Sequence, residues 1–219
     1  RGEGLREAFG AFVSALEGPA VLCLDDPGSA ALAPLASHPV TYGTSHASDY
    51  RIVDVTAVGT GVGFELHHHE DSVHVTVPSA PGIHNARNAA AAIALASELG
   101  LSMDEAASAL SAFRGVARRF EARGEARGIA LVDSYDHLPT EVAAALAAAK
   151  AGAWERVVCC FQPHRFSRTE ALWRTFADAF VDADVLVVTD VYPAGEAPRP
   201  GVSGKLIVDA VLDGHPTRP

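Results

Sequence analysis

Little in this chain supports cross-linking, membrane insertion or nucleic-acid binding. It has only three cysteines in 219 residues, Cys23, Cys159 and Cys160, an odd count with no CxxC pair. That usage speaks against a disulfide framework and for a reducing compartment. Cys159 and Cys160 fall in Arg156-Val-Val-Cys-Cys-Phe161, which reads as a buried strand, so both are expected in the core. Basic residues are also scarce: 17 Lys and Arg oppose 27 Asp and Glu, for a net charge of −10. A nucleic-acid-binding face, which needs a basic excess, is not expected. No apolar run nears the roughly 18–20 residues that cross a bilayer, and Ala89 to Ala96 belongs to a helical pattern. No secretory leader opens the chain, and it is the cysteine usage that sets the expected location as cytoplasmic. The first residue is Arg1 and not Met, and the natural N-terminus is expected upstream.

What is present suffices for a core. The chain is 48% hydrophobic, and its length suits one large domain or two small ones. Leu5, Phe9, Phe12, Val13 and Leu16 recur at helical spacing before Gly18-Pro19, predicting an amphipathic helix with one buried face. Ala20 to Leu24 reads as a buried strand, followed by a short helix near Ser29 to Leu35 and a strand at Val40 to Tyr42. The period then changes. Tyr50 to Thr56, Gly63 to His67 and Ser72 to Val77 alternate apolar and polar residues, predicting an antiparallel meander with one wet face. Asn85 to Leu99 predicts a closely packed helix stopped by Gly100, and Ser102 with Glu105 forms a capping box for the next. A domain boundary is expected near Gly115, dividing the chain into 1–114 and 115–219.

Beyond Gly115 strands and helices alternate. Strands are predicted at Phe120 to Arg123, Ile129 to Asp133, Val157 to Phe161 and Val185 to Thr189. Helices are predicted at Pro139 to Ala151, Ser167 to Phe180 and Gly204 to Leu212. That order implies an α/β fold of Rossmann type with about three parallel strands.

Ligands of such sheets bind beyond the carboxyl ends of the strands, and the functional residue types collect there. Asp133, Tyr135 and His137 lie in the first loop, where N-cap duty explains Thr140 and Glu141 but not the other three. His164, Arg165 and Arg168 lie in the second; the two arginines, three apart at a helix entry, suit a carboxylate or phosphate. The alternative for them is surface ion pairing with Glu170 or Asp178. Asp190, Tyr192 and Glu196 in the third loop fit either a crevice lining or an ordinary turn. Upstream, His84, Asn85 and Asn88 share the first turn of a helix, and amides at that spacing can grip a base edge.

Three patterns mislead. His67-His68-His69-Glu70-Asp71 with His74 suggests a metal site, but adjacent strand residues point to opposite faces, and a solvated hairpin turn is expected instead. Gly59-Thr-Gly-Val-Gly63 joins antiparallel strands, not a strand to a helix, and Gly201-Val-Ser-Gly-Lys205 has the wrong spacing for a P-loop.

Five strings in order, Gly82 to Asn88, Gly115 to Phe120, Asp133 to Glu141, Phe161-Gln-Pro-His-Arg-Phe-Ser-Arg-Thr169 and Asp190-Val-Tyr-Pro-Ala-Gly-Glu196, resemble the Mur ligases. The last two are specific to the branch that joins L-alanine to UDP-N-acetylmuramate and to its tripeptide-recycling relative. The resemblance covers about Leu5 to Ile207 and departs from the family at Ser134 and Leu138, where a second Asp and a second His are usual. It implies the trailing part of a central ATPase domain (1–114) followed by a Rossmann-like, truncated C-terminal domain (115–219). It implies an ATP- and Mg-dependent amide ligase of cell-wall precursor synthesis, acting through an acyl phosphate. His84, Asn85, Asn88, Arg119 and Asp133 would hold ATP. Tyr135, His137, His164, Arg165 and Arg168 would surround the amino acid. The N-terminal domain, the P-loop lysine and the Mg ligands are not in the sequence, so the piece alone is expected to be inactive. Alternatives are the tripeptide-recycling activity and a non-catalytic nucleotide- or anion-binding module.

Overall fold

The computed structural model describes residues 2–152 and 154–215. The chain divides into two compact units, Arg1–Gly115 and Val116–Pro219.

In the first unit a mixed five-stranded sheet has the order β1-β2-β3-β4-β5. Strands β1 (Ala20–Cys23), β2 (Pro39–Gly43) and β3 (Tyr50–Val58) run parallel, while β3, β4 (Gly61–His68) and β5 (Asp71–Val77) form the antiparallel meander. Burial alternates over residues 50–53 of β3 and along β5, while residues 54–58 of β3 are exposed and Gly61 to Phe64 of β4 are buried without alternation. Gly61 has a steric reason: a Cβ there would lie 2.0 Å from the Val77 carbonyl oxygen, so close strand approach, and not phosphate binding, explains that glycine. The histidines fall along β4, its turn and β5, with the adjacent rings of His68 and His69 4.1 Å apart. His68 stacks on Tyr50 at 4.0 Å, His69 turns the corner at φ 53°, and His74 bonds Glu65 at 2.7 Å. Among the described residues no three potential ligands converge on a metal position.

Helix α3 follows α1 (Gly2–Ser14), α2 (Pro27–Ala30) and a 3₁₀ turn at Ala33–Leu35. It runs Ile83–Glu98 and packs Ala86, Ala89, Ala90, Ile93 and Ala94 onto the sheet, alanines letting its axis lie close. The predicted capping box starts α4 (Met103–Ser111), with Ser102 Oγ accepting from the Glu105 amide. One side-chain staple fixes the start of α3: Arg87 donates to Asp25 at 2.7 Å, and the same carboxylate accepts from the Thr44 amide and hydroxyl at 3.0 Å. The pair therefore ties the carboxyl ends of β1 and β2 to the helix. Burial raises the Asp25 pKa, but Thr44 and Arg87 outweigh it and hold the carboxyl below its ordinary value.

Helix α1 departs from expectation. Leu5, Phe9 and Phe12 are 61%, 52% and 62% exposed, and only Val13 of the apolar face is buried. Among the described residues the helix meets chiefly the small 3₁₀ turn at Ala33–Leu35, which cannot cover three large side chains.

The second unit carries two small sheets. β6 (Glu121–Ala126) and β7 (Ile129–Asp133) form an antiparallel hairpin; β8 (Val158–Phe161) and β9 (Val185–Val188) are parallel. The expected third parallel strand is thus corrected: β7 pairs with β6. The cause is local, because Arg127 and Gly128 both have positive φ (54° and 76°), the type I′ geometry that closes two-residue hairpins. Helix α5 spans Pro139–Lys150 and α7 Lys205–Gly214. The helix predicted to run to Phe180 is shorter: α6 is Phe166–Leu172, tightening to a 3₁₀ turn at Trp173–Phe176. Phe176 and Phe180 then both reach Phe161, at 5.3 Å between ring centroids. Gly204, in the second of the misleading strings, abuts the chain just past β9, where a Cβ would lie 2.2 Å from the Thr189 carbonyl oxygen.

The cysteine expectation holds only in part. Cys159 packs against the core, and burial, then Cys160 and Asp136, push its thiol up to about 11. Cys160 is exposed, since alternate residues of β8 face away from the covered side of a two-stranded sheet.

Replacing the fully buried Ile93 with Ala should cost the first unit about 2–5 kcal/mol in urea unfolding. Ile129→Ala, at a 63% exposed position, should stay within about 0.5 kcal/mol. Asp25→Asn should cost about 1–3 kcal/mol near neutral pH. A depressed folded pKa gives stability above the unfolded value of about 3.9 and loses it as pH falls through the folded one. The gap between wild type and Asp25→Asn should therefore close on acidification.

Candidate functional site

In the second unit, the loops after β7, β8 and β9 carry the predicted residues. A backbone ladder extends past the strand ends: Arg165 N donates to the Tyr192 carbonyl and Tyr192 N to the Pro163 carbonyl, both at 2.8 Å. The loop after β7 is anchored by Tyr135 N donating to the Arg118 carbonyl at 2.7 Å. Ser134 Oγ also accepts from Phe120 N at 3.1 Å, which gives the departing Ser134 a structural task.

These anchors bring aromatic rings together. Tyr135 Oη lies 2.8 Å from His164 Nε2. The His164 ring is 5.4 Å from that of Tyr135, 5.9 Å from His137 and 5.5 Å from Tyr192. Arg168 places Nη1 3.2 Å from His164 Nδ1. Burial, then Arg168, His137 and Arg165, hold the His164 pKa below its ordinary value. Arg165 is exposed and sits at the N-cap of α6 with φ 72°, a left-handed conformation that a non-glycine residue adopts at a cost.

His137 is held by Glu141. Its backbone N and that of Leu138 each donate to Glu141 Oε2 at 3.0 Å, and its ring Nδ1 lies 2.9 Å from the Tyr135 carbonyl and 3.5 Å from Glu141 Oε2. Burial raises the Glu141 pKa, but those two amides, the His137 ring and Arg119 pull it below the ordinary value. Leu138, the other departure, thus contributes only its backbone here.

Several expectations are revised. The start of α6 is not open to an external anion: Glu196 already accepts from Ser167 N at 2.8 Å and Ser167 Oγ at 2.6 Å. Arg165 lies outside the helix proper, so the two arginines do not form one helical face. The surface pairing also fails, because Glu170 pairs with Arg199 and Asp178 with His215. Among the described residues neither Arg165 nor Arg168 has a carboxylate within ion-pair distance. Asp190 accepts from Val191 N at 2.9 Å, an ordinary turn contact, while Tyr192 does join the ring cluster. Arg119 lies 3.4 Å from Glu141 and 3.6 Å from Asp136, and Asp133 is exposed at the end of β7.

In the first unit Asn85 is not a cap. Gly82 is the N-cap of α3, and Asn85 Nδ2 reaches back to the Pro81 carbonyl at 2.7 Å and to His84 Nε2 at 3.0 Å. Asn88 Nδ2 donates to Asn85 Oδ1 at 3.3 Å, making one connected set of His84, Asn85 and Asn88. Sequence reading missed the second tasks of Glu141 and Glu196. N-cap duty was legible for Glu141 but its ring contact was not, and nothing signalled Ser167 with Glu196.

Residues 2–96 match the Mur ligase middle domain, and residues 118–218 match the domain described as Mur ligase, glutamate ligase domain. The chain is 44% identical over 212 residues to a UDP-N-acetylmuramate--L-alanine ligase of Anaeromyxobacter sp. (strain Fw109-5), covering 95% of this chain and 46% of that protein. It is 45% identical over 213 residues to the protein of the same name from Geobacter sp. (strain M21), with the same coverage. The crystal structure of UDP-N-acetylmuramate-alanine ligase MurC from Thermotoga maritima superposes with a TM-score of 0.74 at 29% identity, over 95% of this chain and 44% of that one. The chain thus spans about half the length of the relatives it matches. It belongs to the Mur ligase family and carries the family's middle and C-terminal domains.

Proposed function

We propose that this chain is the adenine- and amino-acid-binding part of an ATP-dependent ligase that joins L-alanine to UDP-N-acetylmuramate in peptidoglycan precursor synthesis. The observation that carries the reading is the pair Arg165 and Arg168, neither within ion-pair distance of a carboxylate among the described residues, beside Tyr135, His137 and His164. Two guanidiniums and a phenol suit a small carboxylate, and the names of the relatives supply alanine as the candidate.

Residues 115–219 then form the amino-acid domain, and residues 1–114 contribute the nucleotide's base edge. The connected amides of Asn85 and Asn88 fit an adenine, which presents both a donor and an acceptor. ATP, when bound, supplies the phosphoryl group that activates the muramate carboxylate. The residues present do not fit Mg²⁺, since no three candidate ligands converge among those described, and no step is assigned to it. The chain's own share is to hold the alanine carboxylate, present its amine and exclude water.

Calorimetric titration tests the site. L-alanine should bind the chain, and Arg165→Ala and Arg168→Ala should each weaken it about ten-fold, the loss of one charge-assisted hydrogen bond. A tripeptide binding in place of alanine, or indiscriminate binding of simple anions, would sink the alanine reading. Supplied with ATP, L-alanine and UDP-N-acetylmuramate, the 219-residue chain alone should release no phosphate; measurable turnover would refute its dependence on a P-loop that its sequence lacks.

A further inference from the structure

The two imidazoles of the ring cluster meet opposite kinds of partner. His164 Nδ1 faces Arg168 Nη1 at 3.2 Å. A guanidinium has no acceptor, so this nitrogen must be the unprotonated one, and neutral His164 carries its proton on Nε2. That proton points at Tyr135 Oη, 2.8 Å away. The phenol oxygen accepts there, and its own O–H is left to donate elsewhere.

His137 is held the other way round. Its Nδ1 lies 2.9 Å from the Tyr135 carbonyl and 3.5 Å from Glu141 Oε2. Both neighbours accept only, Glu141 being kept ionised, so Nδ1 carries the proton and the lone pair of neutral His137 sits on Nε2. The charged or titratable groups around the pair are Arg165, Arg168, Glu196 and Tyr192 near His164, Tyr135 beside both rings, and Glu141 beside His137, with Arg119 on Glu141.

We infer that opposite, locked tautomers divide the site between the two ends of a zwitterionic amino acid. His164 and Arg168 make the Tyr135 hydroxyl a donor to the carboxylate, and His137 Nε2 accepts a proton from the ammonium. The inference rests on the amino-acid reading of this site. In the proton step, an ammonium N–H bond breaks as an Nε2–H bond forms, and the electron pair stays on the amine as its nucleophilic lone pair. The imidazolium so formed keeps its Nδ1–H on the Tyr135 carbonyl, with the Glu141 carboxylate at hand to balance the charge. His164 is a positioning residue, because a second positive charge beside Arg168 would be opposed.

Long-range ¹H–¹⁵N correlation on the ¹⁵N-histidine-labelled chain, at a pH where both rings are neutral, reads the tautomers directly and needs no variant. The expected result is Nδ1–H for His137 and Nε2–H for His164, with Arg168→Met releasing His164 to a mixture. Either ring in the reverse tautomer overturns the inference. Binding then tests the division of labour. Tyr135→Phe should weaken L-alanine and propionate alike, about ten-fold. His137→Ala should weaken L-alanine by a similar factor and leave propionate, which has no amine, within about two-fold. Equal loss of both ligands in His137→Ala refutes the amine role. Absence of alanine binding in the wild-type chain with the tautomers as stated refutes the amino-acid reading instead.

Discussion

Among the described residues of the second unit, the Glu141 carboxylate collects more obligations than any other group. It accepts two backbone amides at the entry to α5, faces the His137 ring and receives Arg119. Each is modest alone, but together they set one geometry: helix start, loop path and ring orientation are fixed by one acceptor. Because His137 is oriented through it, and the Tyr135 carbonyl closes the other side of that ring, the ring cluster inherits its arrangement from a helix cap. A capping residue usually serves only the helix; here it also decides which imidazole nitrogen faces the site.

The first unit solves the corresponding problem with a different device. Helix α3 can lie across five strands because its inner face is almost all alanine, with Ile93 as the single large side chain. Such a face gives close approach but little lateral grip. The Asp25–Arg87 pair and the Asn85 bond to the Pro81 carbonyl supply that grip at the end where His84, Asn85 and Asn88 stand. Placement comes from the polar contacts and burial from the alanines.

Much of this was legible in the sequence wherever the signal is local. The meander strands, the Ser102–Glu105 box and the alanine helix follow from period and capping chemistry, and the ring-cluster residues follow from their place after strands. What was not legible depends on long-range partners. Pairing of β7 with β6 turned on positive φ at Arg127, a residue that seldom announces such a turn. Leu5, Phe9 and Phe12 have helical spacing, but spacing cannot say whether a neighbour is large enough to bury them. Glu196 capping Ser167 spans 29 positions, beyond any pattern rule. The histidine run shows the reverse case, in which the strand period already points to a hairpin turn, the corner that His69 makes at φ 53°.

The tight Arg127–Gly128 turn also bears on the order in which the second unit forms. A two-residue hairpin closes in about 1–10 μs, since its contacts are near neighbours along the chain. The parallel β8–β9 pair must instead wait for the α6 connection to be ordered, a larger loop with a larger entropy of closure. An isolated two-stranded hairpin is only marginally stable. The loop bearing Tyr135 and His137 is therefore expected to be sampled early and held late, acquiring its fixed geometry when His164 and Arg168 arrive on the slower element.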